Sequence, residues 1–406
     1  MNKDLLKKYA EVIIKIGCNI QKGDELVIRA DVNSQEFMPY LTEAAYQAGA
    51  KKVTVLFNSD KIMKLRYLYE DAQTLTDVPE WKIKSLEYVV EKDAAYLFID
   101  SQSPEVFAGV DADKMAAYTK AFRSKLVKFY DATMSNDVRW TIAAYPSADW
   151  AQTVFPNDEN AVDKLFELIA KAMRLDTPDP YKAWQEHQER LSARVNYLNS
   201  ANFKALKYKN SLGTDLYVEL PENYFFMGGA DYSKGRMFMA NMPTEEVYAA
   251  PKYSATQGTL VASMPLAYNG SMVKNFSLTF KNGKVVDFNA EQGKEILKNI
   301  LDTDEGARYL GEIAIVPYDS PIQKMNTLFL NTLFDENASC HFALGKAYPC
   351  VKGAENMTKE QLKEAGINDS LMHVDFMIGT ADLEITGITL DGKEIKFFKN
   401  GNFVID

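Results

Sequence analysis

The pattern of apolar residues changes once along this chain, near a proline-containing segment at residues 176–180 (DTPDP). Before that segment, short apolar runs alternate with stretches of helical spacing. Alternating strands and helices favour a parallel sheet covered on both faces. After residue 203, short β-rich runs are separated by hairpin turns, which favours a largely antiparallel sheet. The sequence therefore predicts two domains, 1–180 and 181–406, and a chain of 406 residues is long enough for two hydrophobic cores.

The first half is predicted to be an α/β domain with a mainly parallel sheet. Its strands are predicted at 25–30, 52–57, 94–100 and 139–144. Its helices are predicted at 4–19, 34–48, 60–70, 80–91, 111–129 and 159–173. Ligands bind at the carboxyl ends of strands in such sheets, and neither GxGxxG nor GxxxxGK[ST] occurs there. We therefore expect this half to be a scaffold without a cofactor site.

The second half is predicted to be an α+β domain with a largely antiparallel sheet. Turn residues that are typical of hairpins lie at 211–213, 282–283, 391–392 and 400–401. Helices are predicted at 183–199, 291–301, 303–309 and 358–365.

The overall composition excludes several classes of protein. Hydrophobic residues make up 47% of the chain and charged residues 25%, as in ordinary globular proteins. The net charge of −10 argues against nucleic-acid binding, since no basic cluster stands out. The first 20 residues carry charges among their apolar residues, which is typical of neither a signal peptide nor a membrane span. With three cysteines and no CxxC motif, we expect a cytoplasmic protein without a disulfide framework.

Two of the three histidines lie near carboxylates in the sequence. His373 and Asp375 are two residues apart in the apolar run 371–378, so in a strand both side chains leave from one face. An imidazole and a carboxylate buried together must be paired, hydrogen-bonded or bound to a metal. His341 and Glu336 could supply the second half of a divalent-metal site. On spacing alone, a hydrogen-bonded structural histidine is the commoner alternative.

The remaining polar candidates have simple structural interpretations when taken singly. The third histidine, His187, lies in a predicted helix among the polar residues 186–189, and we expect it on a solvated face. Glu245 and Glu246 lie between two prolines, so we expect one to point inward and its neighbour to stay in water. Glu312 begins a wholly apolar strand, where a solvated turn acid is the simple interpretation.

Four motifs give the chain a resemblance to a known family. They are PTEEVYAAP (243–251), GEIAIVPYDSPI (311–322), NTLFDENASCHFALGKAYP (331–349) and HVDFMIGT (373–380). In this order and spacing they resemble the successive motifs of the aminopeptidase T and aminopeptidase S family, the M29 metallo-aminopeptidases. The resemblance covers nearly the whole chain, and four motifs together are far more specific than any one of them.

The resemblance implies a dinuclear metal site in the second domain. The implied metal ligands in this sequence are Glu246, Glu312, Glu336, His341, His373 and Asp375. Tyr348 is implied beside them, and we expect Tyr348 and Glu312 to be catalytic. The family also implies a homodimer that acts on short peptides with a free N-terminus. Neither nucleic acid nor a membrane is an expected partner.

The chemistry of peptide hydrolysis agrees with such a site. Two divalent ions lower the pKa of a bridging water and polarise the scissile carbonyl. A mostly carboxylate ligand set with two imidazoles suits Zn, Co or Mn and leaves room for Mg. The Tyr348 hydroxyl could then hydrogen-bond the tetrahedral oxyanion. We therefore expect a metal-dependent aminopeptidase.

Two segments, 252–264 and 323–325, depart from the family pattern. Neither contains an implied ligand, so the departures bear on substrate preference or turnover rather than on metal binding. Two alternatives therefore stay open. One is a metal-binding protein of the same fold without turnover, and the other is a metal-dependent amidase that acts on small molecules.

Overall fold

The computed structural model describes residues 1–268 and 271–405, and the chain divides into two compact units. The first unit is Met1–Glu186 with Ala230–Pro243, and the second is His187–Gly229 with Thr244–Asp406. The first unit extends past residue 180, where the sequence predicts the boundary. The reason is local, because Pro180 begins a helix that runs unbroken to Ser200, and proline suits the first helical position.

Helices and strands are numbered here in chain order. The strands are β1 (Glu25–Asp31), β2 (Lys52–Asn58), β3 (Ala95–Asp100), β4 (Trp140–Ala144), β5 (Phe203–Lys209), β6 (Asp215–Glu219), β7 (Asp231–Ser233), β8 (Arg236–Phe238), β9 (Val247–Ala249), β10 (Gln257–Val261), β11 (Leu266–Tyr268), β12 (Ser271–Lys281), β13 (Lys284–Gln292), β14 (Leu310–Ile315), β15 (His341–Gly345), β16 (His373–Met377), β17 (Glu384–Thr389), β18 (Glu394–Lys399) and β19 (Asn402–Phe403). The α-helices are α1 (Lys3–Val12), α2 (Met38–Gln47), α3 (Asp60–Tyr69), α4 (Ala72–Thr76), α5 (Glu80–Glu91), α6 (Ala112–Lys125), α7 (Val127–Met134), α8 (Ala148–Val154), α9 (Ala161–Ala172), α10 (Pro180–Ser200), α11 (Lys294–Leu301), α12 (Pro321–Lys324), α13 (Thr332–Asp335) and α14 (Lys359–Glu364).

The first unit contains a four-stranded parallel sheet in the order β2-β1-β3-β4. In the central strand β1, Leu26, Val27 and Ile28 are consecutive and all buried. A strand with both faces covered needs such a continuous apolar run. The predicted parallel sheet is therefore confirmed.

Two helix predictions in this unit need correction. The helix predicted at 111–129 is two helices, α6 and α7, that meet at Leu126, where the backbone leaves the helical region (φ −109°, ψ 24°) and the side chain is fully buried. The helix predicted at 34–48 begins as a 3₁₀ turn at Val32–Phe37, because the Asp31 carboxylate caps the Asn33 amide at the end of β1.

The second unit contains a nine-stranded, antiparallel sheet with the order β11-β12-β10-β6-β5-β17-β18-β19, in which β13 pairs with β12. The predicted hairpins are confirmed between β5 and β6, β12 and β13, β17 and β18, and β18 and β19. The helix predicted at 303–309 is only a 3₁₀ turn at Gly306–Arg308. Its first residue packs so closely on Asp369 that an added Cβ would lie 2.0 Å from the Asp369 carbonyl oxygen.

A smaller antiparallel sheet of the second unit has the order β16-β15-β14-β9. Its apolar face joins the core of the nine-stranded sheet, where the rings of Phe342 and Tyr208 lie 5.0 Å apart. The opposite face of β14, β15 and β16 carries the polar residues of the candidate site. Within the described residues, none of the helices has both the length and the apolarity to cross a membrane.

Candidate metal centre

Strand register places the candidate residues on one face of the small sheet. Glu312 of β14 is paired with Ala343 of β15, which is paired with Asp375 of β16. Residues directly opposite each other in antiparallel strands share a face, as do residues two apart in one strand. His341 and His373 therefore join Glu312 and Asp375 on this face. The small Ala343 side chain in the middle leaves room for the longer groups around it.

The side chains form two groups that share Glu312. Glu246, Glu312 and His341 form one group, and Glu312, His373 and Asp375 form the other, with one donor atom from each residue within 4.8 Å of the others. Glu312 Oε1 lies 3.8 Å from Nε2 of His341, whereas Oε2 lies 3.5 Å from Nε2 of His373. One carboxylate thus presents a different oxygen to each group.

Within each group, the histidine also lies close to the carboxylate that is not shared. The Nε2 atom of His341 lies 3.1 Å from Oε2 of Glu246, and that of His373 lies 3.2 Å from Oδ1 of Asp375. Glu246, Glu312 and His341 are buried, while His373 is exposed and Asp375 is intermediate. One side of the centre is thus enclosed and the other faces an opening.

Backbone carbonyls fix the orientation of both imidazoles. Nδ1 of His341 lies 3.0 Å from the Ser339 carbonyl oxygen, and Nδ1 of His373 lies 2.6 Å from the Lys346 carbonyl oxygen. A carbonyl oxygen only accepts hydrogen bonds, so Nδ1 carries the proton in each ring. Nε2 is then the ring nitrogen that faces the carboxylates in both histidines, and it is the atom that would bind a metal ion in place of a proton.

The local charge favours added positive charge. Burial raises the pKa of Glu312 to about 8, and the nearby Glu246 carboxylate adds to the rise. Burial alone would lower the pKa of both imidazoles, but Glu246 raises that of His341 to about 10, and Asp375 raises that of His373 to about 10. For Asp375, burial raises the pKa, but the neighbouring His373 outweighs burial and lowers it. Carboxylates crowded in this way are well suited to divalent cations.

One buried atom tests whether the residues fit a metal ion. Oε2 of Glu246 is inaccessible to solvent, and although Nε2 of His341 lies 3.1 Å away, that contact lacks good hydrogen-bond geometry and no other described atom donates to the oxygen. A buried carboxylate oxygen without a hydrogen bond is costly unless a cation binds it. Together with the two imidazole nitrogens, this oxygen makes the donor set fit divalent metal ions.

The structure places the two remaining predicted residues at the edge of the centre. Glu336 is half-buried and, within the described part of the chain, belongs to neither group of three. Burial and the charges of Glu246 and Asp375 raise the pKa of its carboxyl group, so it lies within electrostatic reach of both. The Tyr348 ring is 6.0 Å from the His373 ring and 38% of the residue is exposed. Burial of its hydroxyl, with the charges of Glu312 and Asp375, raises the pKa of Tyr348.

Two sequence predictions near the centre are wrong. His187 is not on a solvated face, because it is 2% exposed and its Nε2 lies 2.8 Å from the Thr244 carbonyl oxygen. Its spacing from the buried Leu191 and Leu198 on α10 could have revealed this, since residues four and eleven positions along a helix share its face. Glu245 does not stay in water either: it is 3% exposed, and its carboxylate faces His187 at 3.6 Å.

Sequence analysis also missed Asn337, which is fully buried beside Glu336. Its side-chain oxygen accepts a hydrogen bond from the Glu245 amide at 2.7 Å. Nothing in the local sequence distinguishes Asn337 from a turn residue, because its partner lies 92 positions earlier in the chain.

Comparison with known proteins identifies the family to which this chain belongs. The sequence profile of the thermophilic metalloprotease (M29) family matches residues 2–403. This chain belongs to the M29 family. The M29 relatives include aminopeptidase AmpS of Bacillus subtilis (strain 168), which is 42% identical over 402 residues, or 98% of each chain. Aminopeptidase 2 of Geobacillus stearothermophilus is 42% identical over 405 residues, or 99% of this chain and 98% of its own.

A solved M29 structure gives the same result for the fold. The wild-type AmpT structure from Thermus thermophilus superposes with a TM-score of 0.92 at 36% sequence identity, and covers 99% of this chain and 100% of its own. The M29 resemblance predicted from the four motifs is therefore confirmed over the full chain. Family membership also confirms the predicted enzyme class, a metal-dependent aminopeptidase, and implies divalent metal cofactors.

Proposed function

We propose that this M29 protein removes the N-terminal residue from short peptides with a free N-terminus, using two divalent ions. The observation that carries the proposal is the pair of three-residue groups that share Glu312. One ion position is assigned to Glu246, Glu312 and His341, and the other to Glu312, His373 and Asp375. A single ion would need only one of these groups.

The number of ions rests on the orientation of Glu312. Its Oε1 faces His341 and its Oε2 faces His373, so the one carboxylate would offer an oxygen to an ion held at either position. Glu336 is proposed as the sixth ligand from the resemblance to the M29 motifs, and burial together with the charges of Glu246 and Asp375 raises the pKa of its carboxyl group. Zn, Co and Mn suit this mixture of carboxylates and imidazoles, and Mg remains compatible with its oxygen atoms.

The mechanism assigns separate tasks to the residues around the ions. When bound, two divalent ions supply a water of lowered pKa and polarise the peptide carbonyl. Glu312, with an oxygen toward each position, holds the two halves of the site at a fixed separation. Tyr348 is assigned to donate its hydroxyl proton in a hydrogen bond to the carbonyl oxygen as negative charge develops on it. Its partial exposure next to His373 leaves it within reach of an entering peptide.

We also propose that the protein is a cytoplasmic homodimer. The support for the compartment is that Cys18, Cys340 and Cys350 are all free and buried, as suits a reducing environment. The support for the dimer is the resemblance of the motifs to the M29 family. Size-exclusion chromatography with light scattering would test the dimer directly.

The proposed reaction can be tested with substrates that differ only at the N-terminus. The metal-loaded protein should hydrolyse free dipeptides and not their N-acetylated counterparts, and chelation should abolish the activity until Co or Zn is restored. Equal rates on free and acetylated peptides, or hydrolysis of simple amides alone, would favour a metal-dependent amidase. A protein that binds two ions and hydrolyses none of these compounds would be a metal-binding protein without turnover. Undiminished hydrolysis by metal-free protein would contradict the mechanism.

A further inference from the structure

The segment Thr244–Glu246 is held by two side chains that lie outside the metal centre. The first is His187 on α10, whose Nε2 is 2.8 Å from the Thr244 carbonyl oxygen. Because a carbonyl oxygen can only accept, Nε2 of His187 carries the proton and donates it. Both partners are buried, so this hydrogen bond is shielded from competing water.

The second side chain is Asn337, which holds the other end of the same peptide group, since the Thr244 carbonyl and the Glu245 amide belong to one peptide bond. Its Oδ1 accepts the hydrogen bond of the Glu245 amide at 2.7 Å, and its Nδ2 donates to the Leu333 carbonyl oxygen at 2.9 Å. The Asn337 carbonyl oxygen accepts a hydrogen bond from the Ser320 hydroxyl at 2.9 Å. Asn337 is therefore fixed at its backbone and at both ends of its carboxamide, and it can fix Glu245 in turn.

The two adjacent glutamates of this segment face different histidines. Oε2 of Glu245 is 3.6 Å from Nε2 of His187, whereas Oε2 of Glu246 is 3.1 Å from Nε2 of His341. A small rotation of the segment would move Glu246 away from His341. The hydrogen bonds to the Thr244 carbonyl and the Glu245 amide both oppose this rotation.

We infer that His187 and Asn337 are positioning residues that aim Glu246 at the first ion position, and that the second position does not depend on them. The inference rests on the proposed two-ion function. The second group has its own anchor, because His373 is oriented by the Lys346 carbonyl oxygen at 2.6 Å. Contacts that orient metal ligands from outside typically contribute 10–100-fold to metal affinity.

The test uses a pair of substitutions at His187 that differ in one hydrogen-bond donor. His187→Gln keeps an N–H near the position of Nε2, whereas His187→Met fills similar volume without a donor. Metal-free protein is titrated with Co²⁺ by calorimetry, and the visible absorption of bound Co²⁺ is recorded in parallel. We expect His187→Met to weaken one of two binding events by about 10–100-fold and to leave the other within about threefold of wild type. His187→Gln should restore most of the lost affinity.

Several outcomes would overturn the inference. One is that His187→Met weakens both Co²⁺-binding events equally. Another is that a folded His187→Met protein binds both Co²⁺ ions with unchanged affinity. A third is that His187→Gln binds Co²⁺ no more tightly than His187→Met does. If the wild-type protein binds only one ion, the two-ion function fails separately. If that ion binds at Glu246 and His341, His187→Met must still weaken its binding, and an unchanged affinity would overturn the inference. A single ion bound only at His373 and Asp375 would overturn it as well, because Glu246 would then not be a ligand.

Asn337→Ala examines the same segment from the other side, should His187→Met fail to fold. It removes the acceptor for the Glu245 amide and leaves the His187 hydrogen bond in place. The same selective weakening is expected, with circular dichroism to verify the fold. Two full-affinity binding events in folded Asn337→Ala would contradict the role assigned to this residue.

Discussion

At the scale of single residues, Glu312 has the central position among the candidate ligands. Its carboxylate is buried on the face of β14, and its two oxygens face two different imidazoles. Burial raises the pKa of its carboxyl group, and the neighbouring carboxylates Glu246 and Asp375 raise it further. Negative charge gathered in this way is stable only when cations or protons balance it.

Asp375→Ala is expected to lose metal and rate together. The substitution leaves Glu312 and His373 without the third member of their group. The second ion should bind at least about 100-fold more weakly, since even outer contacts of ligands contribute 10–100-fold, and turnover should fall at least as far. Metal quantification and steady-state kinetics on the same preparation measure both effects.

The matched control is Asp382→Ala, in which the lost carboxylate caps the Ser211 amide at 2.8 Å outside the site. This variant should keep both ions and the wild-type rate. Full metal content in Asp375→Ala would remove Asp375 from the ligand set.

Tyr348→Phe is expected to lose rate but not metal. The substitution removes only a hydroxyl that is proposed to act on the transition-state oxygen, and losing one such donor costs roughly 10²–10³ in kcat. Because the interaction is made only in the transition state, kcat and kcat/KM should fall together. The exposed Tyr232, replaced by Phe, is the control and should keep the full rate. If Tyr348→Phe instead loses metal, Tyr348 is a ligand, and if it keeps the full rate, its hydroxyl has no catalytic role.

The sequence predicts the role of a residue well where several motifs support it. It predicts the environment of a side chain poorly where only the adjacent residues in the sequence are considered. His341, His373, Glu312, Asp375 and Glu246 are all brought together in the structure. His187 was misjudged because its immediate neighbours are polar, although its position on α10 is buried. Helical spacing describes the environment of a side chain better than adjacent residues do.

At the scale of secondary-structure elements, an irregularity in β14 sets the direction of Glu312. The pairing of β14 with β15 shifts register between Leu310 and Glu312, which places a bulge at Gly311. At Gly311 an added Cβ would lie 2.4 Å from the carbonyl oxygens of both Gly345 and Lys346. The Lys346 carbonyl is also the group that orients His373. Glycine is therefore required where the two ligand-bearing strands approach most closely.

Gly311→Ala should therefore disturb the fold and the metal centre together. A methyl group at 2.4 Å from two backbone oxygens forces β15 to move, at a cost of about 1–3 kcal/mol. The movement displaces the Lys346 carbonyl from His373, so the second ion should bind more weakly. Urea unfolding and metal titration measure the two effects.

Gly392→Ala is the control for this substitution, since Gly392 has φ +84° and an added Cβ there meets nothing within 4 Å. Alanine in that conformation should reduce stability and leave metal affinity unchanged. Wild-type metal affinity in Gly311→Ala would show that the bulge does not control His373.

The ion pairs of Asp24 predict how the first unit responds to acid. The Asp24 carboxylate accepts hydrogen bonds from both Nη atoms of Arg236, at 2.9 and 2.7 Å, and from one Nη atom of Arg139, at 2.8 Å. Burial raises the pKa of Asp24, but Arg236, the Gln21 amide and Arg139 outweigh burial and lower it to about 2. Because the folded pKa is depressed, Asp24 stabilises the fold above about pH 4, and this contribution is lost as the pH falls toward 2.

Asp24→Asn measures that contribution. At pH 7 the variant should be less stable by about 1–2 kcal/mol, a value reduced from the full shift because solvent screens the pair. The difference from wild type should shrink steadily between pH 4 and pH 2. Chemical denaturation at several pH values gives the comparison, and a difference that is independent of pH would contradict the assignment.

At the scale of the whole molecule, the sequence predicts the kinds of sheet but not their assembly. Periodicity distinguishes the parallel sheet from the antiparallel ones, and turn residues such as Asn282-Gly283 locate the hairpins. Pairing between remote strands, such as β5 with β17 or β9 with β14, leaves no local signal. Such pairing depends on packing of the complete core, which a single sequence does not reveal.

For the metal centre, too, the sequence predicts the residues but not the strand pairing that brings them together. The four motifs identify its residues through family resemblance, while local spacing alone connects His373 with Asp375 and His341 with Glu336, and includes neither Glu246 nor Glu312. The register of β14, β15 and β16 supplies the missing physical reason, because it brings Glu312, Ala343 and Asp375 into one line across the sheet. Glu246 does not belong to this line, because it is the residue directly before β9.

We propose that two divalent ions bind on either side of Glu312. Anomalous X-ray scattering from a crystal of the zinc-loaded protein, measured at the zinc absorption edge, tests it most directly. We expect two anomalous peaks per chain, one beside Oε1 of Glu312, near His341 and Glu246, and one beside Oε2, near His373 and Asp375. A single peak, or two peaks that do not share Glu312, would contradict it.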